Sequence, residues 1–344
     1  MGRSISFRLV PRLSPRAASL ERRGFEPCEP EARWHLEAAL GAFVAGVNAA
    51  REEGDDDALA GRLRQSHGPH LVGFAFEGAG AERAARDLLM PWPSRRLETF
   101  THGAAADHDY IATVGAGLAL ALLPWGPRFL HRYMSALDPL LAWCVADGVG
   151  FHHGVFRHRV WVEGCAASPR HFAPFARQLF DAGLGRSLWW VKGASPRRIR
   201  LAIDRFAAGR RPDLWFGVGL ACSYAGGVAA ETLRALRAEA GPARIDLLAG
   251  VPFACRLRQK AGNPSAATEL AARVLLESDA DTAASLLADL ADATSREAGA
   301  DAAALRIGGF AQLRRRLAEA LLPEDSARSG RDAREPEVRR VQVN

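Results

Sequence analysis

Apolar residues along this chain recur mainly at spacings of three and four, which is the periodicity of an amphipathic α-helix. Residues 31–53 illustrate the pattern, because their large apolar side chains fall on one helical face. Alternation with period two, which indicates a half-buried strand, is rare, and residues 160–162 and 188–191 are the best candidate strands. The pattern therefore predicts a mostly or wholly α-helical fold.

Helix start and stop signals divide the chain further. Asp55 is the first of three candidate N-caps for a second helix, and Ser195-Pro196 is a typical helix start, because proline is favoured in the first turn. Proline-rich turns at residues 91–93 and 124–127 end the elements before them. Further helices are predicted over residues 71–89, 108–123, 128–136, 138–148, 197–206, 266–276, 282–293 and 309–322.

Part of the chain is similar to another part of the same chain. The segment VGAGLALALLPWG at Val114 matches FGVGLACSYAGG at Phe216 after a shift of 102 residues. The same shift lays residues 147–151 on residues 249–253, and a shift of 105 lays Glu77-Gly78-Ala79-Gly80 on Ala182-Gly183-Leu184-Gly185. Three glycine-bearing blocks in the same order predict a helical repeat or bundle built from two related halves.

The two halves, residues 70–162 and 172–262, form the centre of the predicted domain organisation. Before them we expect a basic N-terminal arm over residues 1–30 and N-terminal helices over 31–69. After them we expect C-terminal helices over 263–323 and a disordered tail over 324–344, which carries almost no large apolar residues.

Composition narrows the class of protein. The chain has 344 residues, 48% of them hydrophobic, and a net charge of +6. No stripe of basic residues interleaves with aromatic residues, so nucleic-acid binding is not predicted, and no apolar run is long enough to span a membrane. The N-terminus is rich in Arg and Ser, like a transit peptide. The five cysteines form no CxxC pair, which excludes a zinc ribbon and fits a reducing cytoplasm.

The glycine-bearing blocks admit more than one interpretation. Glycine inside a helix costs about 1 kcal/mol relative to alanine, so its recurrence requires a reason. Close helix–helix approach, a phosphate cradle, or room for a flat or elongated ligand are the alternatives. The large aromatic residues nearby either fill the core or line an apolar pocket. The candidate substrate-binding residues are Glu77, Tyr110, Gly115, Gly117, Trp189, Trp215, Gly217 and Gly219.

All ten histidines precede residue 172, which suggests a single functional site in the first half. The candidate catalytic residues are His108, Asp147, His152, Asp181 and Arg186. Histidine and paired carboxyl groups are suited to proton transfer. The alternatives are ordinary hydrogen-bonded histidines and a buried ion pair of Asp181 or Asp213 with Arg186. A metal site is a third alternative for the histidines, but no metal ligand is predicted, because the adjacent His152 and His153 would point about 100° apart on a helix. The sequence leaves open whether a cofactor takes part.

Several strings together resemble a known family. They are GFAFEGAG at Gly73, DP at Asp138, DGVGFH at Asp147, FDAGLGRSLW at Phe180 and DLWFGVGLA at Asp213. RRGF at Arg22 also resembles that family's first segment, which argues against a cleaved transit peptide. The chain thus resembles domain-of-unknown-function family 1702 over about residues 20–275. This resemblance implies a bacterial protein, often encoded beside the polyketide synthases that make enediyne natural products. It implies no catalytic residues.

Two functions compete at this stage. In the first, the chain is an enzyme that isomerises, cyclises or oxidatively tailors a long unsaturated apolar intermediate in a pocket between the halves. In the second, the chain is a non-catalytic binding protein or chaperone for such a molecule, or an assembly partner of a polyketide synthase or oxidoreductase. Both predict an apolar pocket and differ in whether ionisable residues at the pocket carry out chemistry.

Overall fold

The computed structural model describes residues 10–90, 94–123, 126, 130, 143–299 and 308–322, and every regular element within these ranges is helical. The α-helices are α1 (Pro30–Glu52), α2 (Asp56–Ser66), α3 (Pro69–Leu89), α4 (Arg96–His102), α5 (Asp109–Leu122), α6 (Trp143–Phe156), α7 (Pro174–Val191), α8 (Pro196–Ile203), α9 (Arg211–Ala225), α10 (Ala230–Ala240), α11 (Arg244–Lys260), α12 (Ala266–Ala271), α13 (Ala280–Ala298) and α14 (Phe310–Ala320). The prediction of an all-α fold is confirmed.

Both candidate strands are helical. Residues 160–162 lie in a single π-helical turn, Arg159–Glu163, and residues 188–191 end α7. Their tryptophan and valine content favours strands only where a pleated surface is available to pack on, and here neighbouring helices supply the packing instead.

The start signals act as the sequence indicates. The Asp55 side chain caps α2 by accepting a hydrogen bond from the Ala58 backbone N–H at 2.8 Å. Proline occupies the first turn of α1, α3, α7 and α8. The helices predicted over 128–136 and from Asp138 to Trp143, the turn at 91–93, and the tail over 324–344 lie outside the described residues.

The long helices pack in chain order, each on the next: α1, α3, α5, α6, α7, α9 and α11, which we call the inner helices, followed by α13. Short helices flank this row, such as α2 beside α3 and α14 beside α13. A row of sequential neighbours is the arrangement expected of a helical repeat.

Glycine pairs join each inner helix to the next. A Cβ atom added at Gly115 would lie within 3.0 Å of the Glu77 backbone, and one at Gly80 within 3.0 Å of the Ala112 backbone, so α3 and α5 touch backbone to backbone. Every successive pair of inner helices has such a reciprocal contact. The pairs are Gly46 with Gly78, Gly80 with Gly115, Gly117 with Gly148, Gly150 with Gly183, Gly185 with Gly217, and Gly219 with Gly250.

These contacts reveal a repeat shorter than the predicted half. In the inner helices from α3 to α11, the first glycines that take part in these contacts are 33 to 37 residues apart, at Gly78, Gly115, Gly148, Gly183, Gly217 and Gly250. The repeating unit is therefore one inner helix with its connection. A shift of 102 residues spans three such units, which is why it lays α5 on α9 and α6 on α11.

The inner helices close around a centre. Arg258 near the end of α11 donates hydrogen bonds to the carbonyls of Pro69 and His70 at the start of α3, at 2.9 and 3.0 Å. The Trp190 indole on α7 donates to the carbonyl of Leu36 on α1 at 3.4 Å. Helices from both ends of the row thus meet, and their inward faces surround a shared interior.

The N-terminal arm is packed where it is described. Leu20 and Phe25 are buried, and the Glu26 backbone N–H donates to the Val191 carbonyl at the end of α7 at 3.0 Å. The sequence predicted an extended arm, but apolar side chains at these two positions give it a surface to bury against the inner helices.

Candidate functional site

A small cavity lies at the centre of the helical row. Its lining comes from six inner helices and is mainly apolar. The lining residues are Phe74, Glu77, Ile111, Phe151, Arg186, Trp190, Leu220, Ala221, Tyr224 and Leu257. The space open to water-sized molecules is ≈ 20 Å³, enough for about one water. We call it the central cavity.

Two ionisable side chains that line this cavity, Glu77 and Arg186, meet a third, Asp147, which is buried behind Arg186 and does not line it. Glu77 on α3, Asp147 on α6 and Arg186 on α7 are 3%, 0% and 8% exposed. The Arg186 guanidinium lies 3.1 Å (Nε) from Asp147 Oδ1 and 3.9 Å (Nη2) from Glu77 Oε1. It also sits over the Phe151 ring, 4.6 Å from its centroid, which helps to fix its position. One cation therefore serves two buried carboxyl groups.

The protonation of the two carboxyl groups depends on their burial and on the one positive charge that they share. Burial raises the pKa of Glu77 to about 7; Arg186 opposes the rise and Asp147 adds to it. Burial likewise raises the pKa of Asp147 to about 6, against the pull of Arg186. A second uncompensated buried charge is costly, so near neutral pH one of the two groups retains a proton.

The cluster has unused hydrogen-bonding capacity. Glu77 Oε1, both carboxylate oxygens of Asp147 and Arg186 Nε have no hydrogen-bond partner among the residues that the structure describes, although Arg186 and Asp147 are close enough for an ion pair. Buried polar atoms are nearly always satisfied, so four such atoms in one place indicate a site for water or a ligand.

A second, larger cavity adjoins the first. It lies between α5, α11, α13 and α14, and the space open to water-sized molecules is ≈ 150 Å³. Its lining residues are Tyr110, Phe253, Arg256, Leu257, Leu287, Ala288, Ala291, Asp292 and Leu313. We call it the outer cavity. Leu257 lines both cavities.

Asp181, a candidate catalytic residue, is fully engaged elsewhere. Its two oxygens accept hydrogen bonds from Arg210 at 2.6 and 2.8 Å, and Ser168 also donates to it. Asp213 forms an ion pair with Arg314 on α14. The expected ion pair of Asp181 or Asp213 with Arg186 is therefore wrong, because Arg186 points to the helices on its other side.

The candidate histidines also lie outside the cavity lining. His108 stacks on Phe76 with ring centroids 4.1 Å apart, and His152 has its Nδ1 3.3 Å from Nδ1 of His153. Burial lowers the pKa of His108 to about 4 and that of His152 to about 3, so both imidazoles are neutral at physiological pH.

The candidate binding glycines and tryptophans have mostly structural positions. Gly115, Gly117, Gly217 and Gly219 all face the backbone of a neighbouring helix, which leaves no ligand space beside them. Trp189 and Trp215 are buried in the core, and the Trp189 indole donates to the Gly226 carbonyl at 3.1 Å. Of that group, Glu77 lies at the central cavity and Tyr110 at the outer one.

Several lining residues were not anticipated from the sequence. Trp190, rather than Trp189, faces the central cavity, together with Phe151, Tyr224 and Leu257. The signal that identifies them is their register relative to the glycines. Phe151 and Arg186 are three residues after the first glycine of their helices, whereas Trp190, Tyr224 and Leu257 are seven residues after theirs.

Other kinds of site find no support in the described ranges. No three His, Cys, Asp or Glu side chains there converge in a way that would hold a metal ion. Cys144, Cys222 and Cys255 are buried, and burial raises the pKa of the Cys222 and Cys255 thiols to about 12, which leaves them unreactive. None of the described helices combines the length and the apolar character that crossing a bilayer requires.

The fold and the site define an all-α repeat protein that encloses a buried acid pair with one arginine. The chain belongs to the family described as protein of unknown function (DUF1702), which matches residues 5–321. The resemblance inferred from its motifs is thereby confirmed. Comparison with curated proteins gives no match, and comparison with solved structures gives none either.

Proposed function

We propose that this protein binds an elongated, unsaturated, largely apolar molecule and isomerises it by proton transfer. The observation that carries the proposal is the charge balance at the centre, where Arg186 is the one cation that Glu77 and Asp147 share among the described residues. A carboxylic acid and a carboxylate side by side in an apolar site provide a general acid and a general base together.

The proposed step shifts a carbon–carbon double bond. The protonated carboxyl group of Glu77, which lines the central cavity, donates its proton to one end of the double bond. The carboxylate of Asp147, which reaches the substrate when its side chain turns past Arg186, removes a proton from the allylic carbon. The electron pair of that C–H bond forms the new double bond, so the product is an isomer and no electrons leave the molecule. Proton exchange between the two carboxyl groups then restores the starting state. The opposite assignment of acid and base is chemically equivalent.

Arg186 stabilises the negative charge that one of the two carboxyl groups carries throughout this step. Its guanidinium stabilises whichever carboxyl group is ionised, and its stacking on Phe151 keeps it in place as the proton moves. The surrounding Phe74, Trp190 and Leu220 exclude water, which strengthens electrostatic interactions within the site.

The biological setting is part of the proposal and rests on the motifs shared with the family. We infer that the substrate is a polyketide-type polyene made for natural-product biosynthesis, of the kind associated with enediynes. The mainly apolar lining of both cavities supports a substrate of this type. We also expect the protein to act in the cytoplasm, which agrees with its five unpaired cysteines.

The test is turnover of a conjugated polyene in D₂O. Proton transfer through Glu77 and Asp147 predicts a shifted ultraviolet absorption band and one deuterium in each product molecule. Glu77→Gln and Asp147→Asn should lose at least about a hundredfold in rate, the lower range for general acid–base catalysis. Asp246→Asn is the matched control, because Asp246 begins α11 away from the cavity lining and should retain full rate.

Two outcomes would contradict this mechanism. If wild type binds the polyene but releases it unchanged and without deuterium, the protein is a carrier or chaperone. If product forms equally well in both amide variants, the chemistry lies elsewhere in the chain.

A further inference from the structure

The route to the buried acids runs through the outer cavity. This inference rests on the proposed function, because it concerns how the same substrate reaches Glu77. The two cavities share the side chain of Leu257 on α11. On α5 the neighbours Tyr110 and Ile111 line the outer and the central cavity respectively. Leu257 is thus the side chain that the two spaces have in common, and α5 and α11 each contribute to both linings.

The two cavities differ in size and can therefore hold different parts of the substrate. The central cavity offers ≈ 20 Å³ to water-sized molecules and holds no more than a small group. The outer cavity offers ≈ 150 Å³. Most of an elongated substrate therefore has to lie in the outer cavity, and only a narrow segment of it can reach the two carboxyl groups.

The chemistry of the outer cavity suits a hydrocarbon chain. Phe253, Leu287 and Leu313 come from α11, α13 and α14 and bring apolar surface from three directions. Arg256 and Asp292 also line it, and they have opposite charges, so the lining carries no net charge that would select an anionic or a cationic body.

We propose that Leu257 is the gate between the cavities, and that the substrate is an unbranched conjugated chain whose body lies in the outer cavity. When the Leu257 side chain changes rotamer, a slender unsaturated segment passes into the central cavity and reaches Glu77. A leucine has well-separated staggered rotamers, so the passage is either closed or open. A branched or ring-bearing chain is excluded by the width of one leucine side chain.

The experiment uses the full-length protein and a conjugated tetraenoic fatty acid, whose fluorescence rises in an apolar site. Ala288→Trp on α13 fills the outer cavity and should weaken binding at least about tenfold, because that cavity holds most of the buried chain. Ala235→Trp, at an exposed position on α10, is the matched control and should bind like wild type. Leu257→Ala removes the gate and should also admit branched polyenes that wild type rejects.

Glu77→Gln separates this inference from the proposed chemistry. With the gate account correct, Ala288→Trp weakens tetraene binding by the same factor in the Glu77→Gln background as in the wild-type background. Unchanged affinity in Ala288→Trp together with unchanged selectivity in Leu257→Ala would overturn the gate, even if wild type converts the polyene. Failure of wild type to bind the tetraene would overturn it as well. If both variants change binding as expected but no product forms, the gate is supported and the proposed reaction is disproved.

Discussion

Nε of Arg186 lies 3.1 Å from Oδ1 of Asp147, yet neither atom has a hydrogen-bond partner in the described part of the chain. The two groups attract each other electrostatically while their hydrogen-bonding directions remain open. Such a pair differs from a structural salt bridge like that of Asp181, whose oxygens both accept hydrogen bonds from Arg210. The open capacity beside the central cavity is what singles out Asp147, Arg186 and Glu77 as the functional cluster.

The first prediction concerns pH and stability. The pKa of Glu77 rises from 4.5 to about 7 on folding, because the side chain is buried. Between these values the folded state binds more protons than the unfolded state, so this group reduces stability as pH rises. Glu77→Gln has no such titrating group. The free energy of unfolding of Glu77→Gln minus that of wild type should therefore increase by up to roughly 3 kcal/mol from pH 4.5 to 7.

Denaturant unfolding of both proteins at several pH values measures this difference. The buried histidines have lowered pKa values and therefore destabilise the folded state in acid. Because they do so equally in both proteins, their contribution cancels when the two free energies of unfolding are compared at the same pH. A difference that stays constant across the range would mean that Glu77 has the same pKa in the folded and unfolded states, so burial does not raise it.

The second prediction concerns the shared cation. Arg186→Met leaves two carboxyl groups buried without a counter-charge, so we expect a loss of about 3–5 kcal/mol at pH 8. Lowering the pH to 5 should recover much of it, because both carboxyl groups then take up protons. Combining Arg186→Met with Glu77→Gln and Asp147→Asn should restore stability at pH 8. If the triple variant is no more stable than Arg186→Met alone, the coupling of these residues is disproved.

The third prediction concerns the glycine contacts. A Cβ at Gly217 would meet the Ala182 backbone, so Gly217→Ala should destabilise the protein by about 3 kcal/mol, toward the upper end for overpacking. Gly61 on α2 has open space around it, and Gly61→Ala should stabilise by about 0.5–1 kcal/mol through helix propensity. Thermal unfolding of the two variants gives the comparison. Equal changes in both would show that helix spacing does not depend on Gly217.

The fourth prediction concerns the histidines. His152 is neutral near pH 7, since burial lowers its pKa to about 3, and its Nδ1 lies against Nδ1 of His153 and not against Arg186 or Glu77. His152→Gln should therefore retain the polyene conversion rate within about twofold, whereas Asp147→Asn should not. The measurement is the initial rate of each variant at saturating polyene. A collapse of the rate in His152→Gln would transfer the acid–base role to the imidazole.

Most of the fold could be predicted from the sequence because its signals are local. Apolar spacing located α1, α3 and α5, and Asp55 and Ser195-Pro196 located helix starts. The repeat was detected at three times its true length. Adjacent inner helices share little beyond a pair of glycines, so similarity emerges only where several blocks are compared together.

The site was harder to predict, because it depends on which face of each helix points inward. Glu77 and Asp147 each come one residue before the first glycine of their helix that contacts the backbone of the preceding inner helix, and Arg186 comes three residues after the corresponding glycine of α7. Glu77 and Arg186 line the cavity and Asp147 pairs with Arg186, whereas Asp181 pairs with Arg210 and His152 lies against His153. This register becomes visible when the helices are aligned on the first glycine of each that contacts the preceding inner helix. The direction in which the row of helices closes can be seen only in the tertiary structure.

The proton shared by Glu77 and Asp147 can be observed directly by ¹³C NMR titration of protein labelled at the side-chain carboxyl carbons of Glu and Asp. The account predicts a glutamate signal that titrates near pH 7 and disappears in Glu77→Gln, and an aspartate signal that titrates near pH 6 and disappears in Asp147→Asn. If every carboxyl group in the protein is fully ionised by pH 5.5, no proton is held at the centre and the proposed chemistry fails.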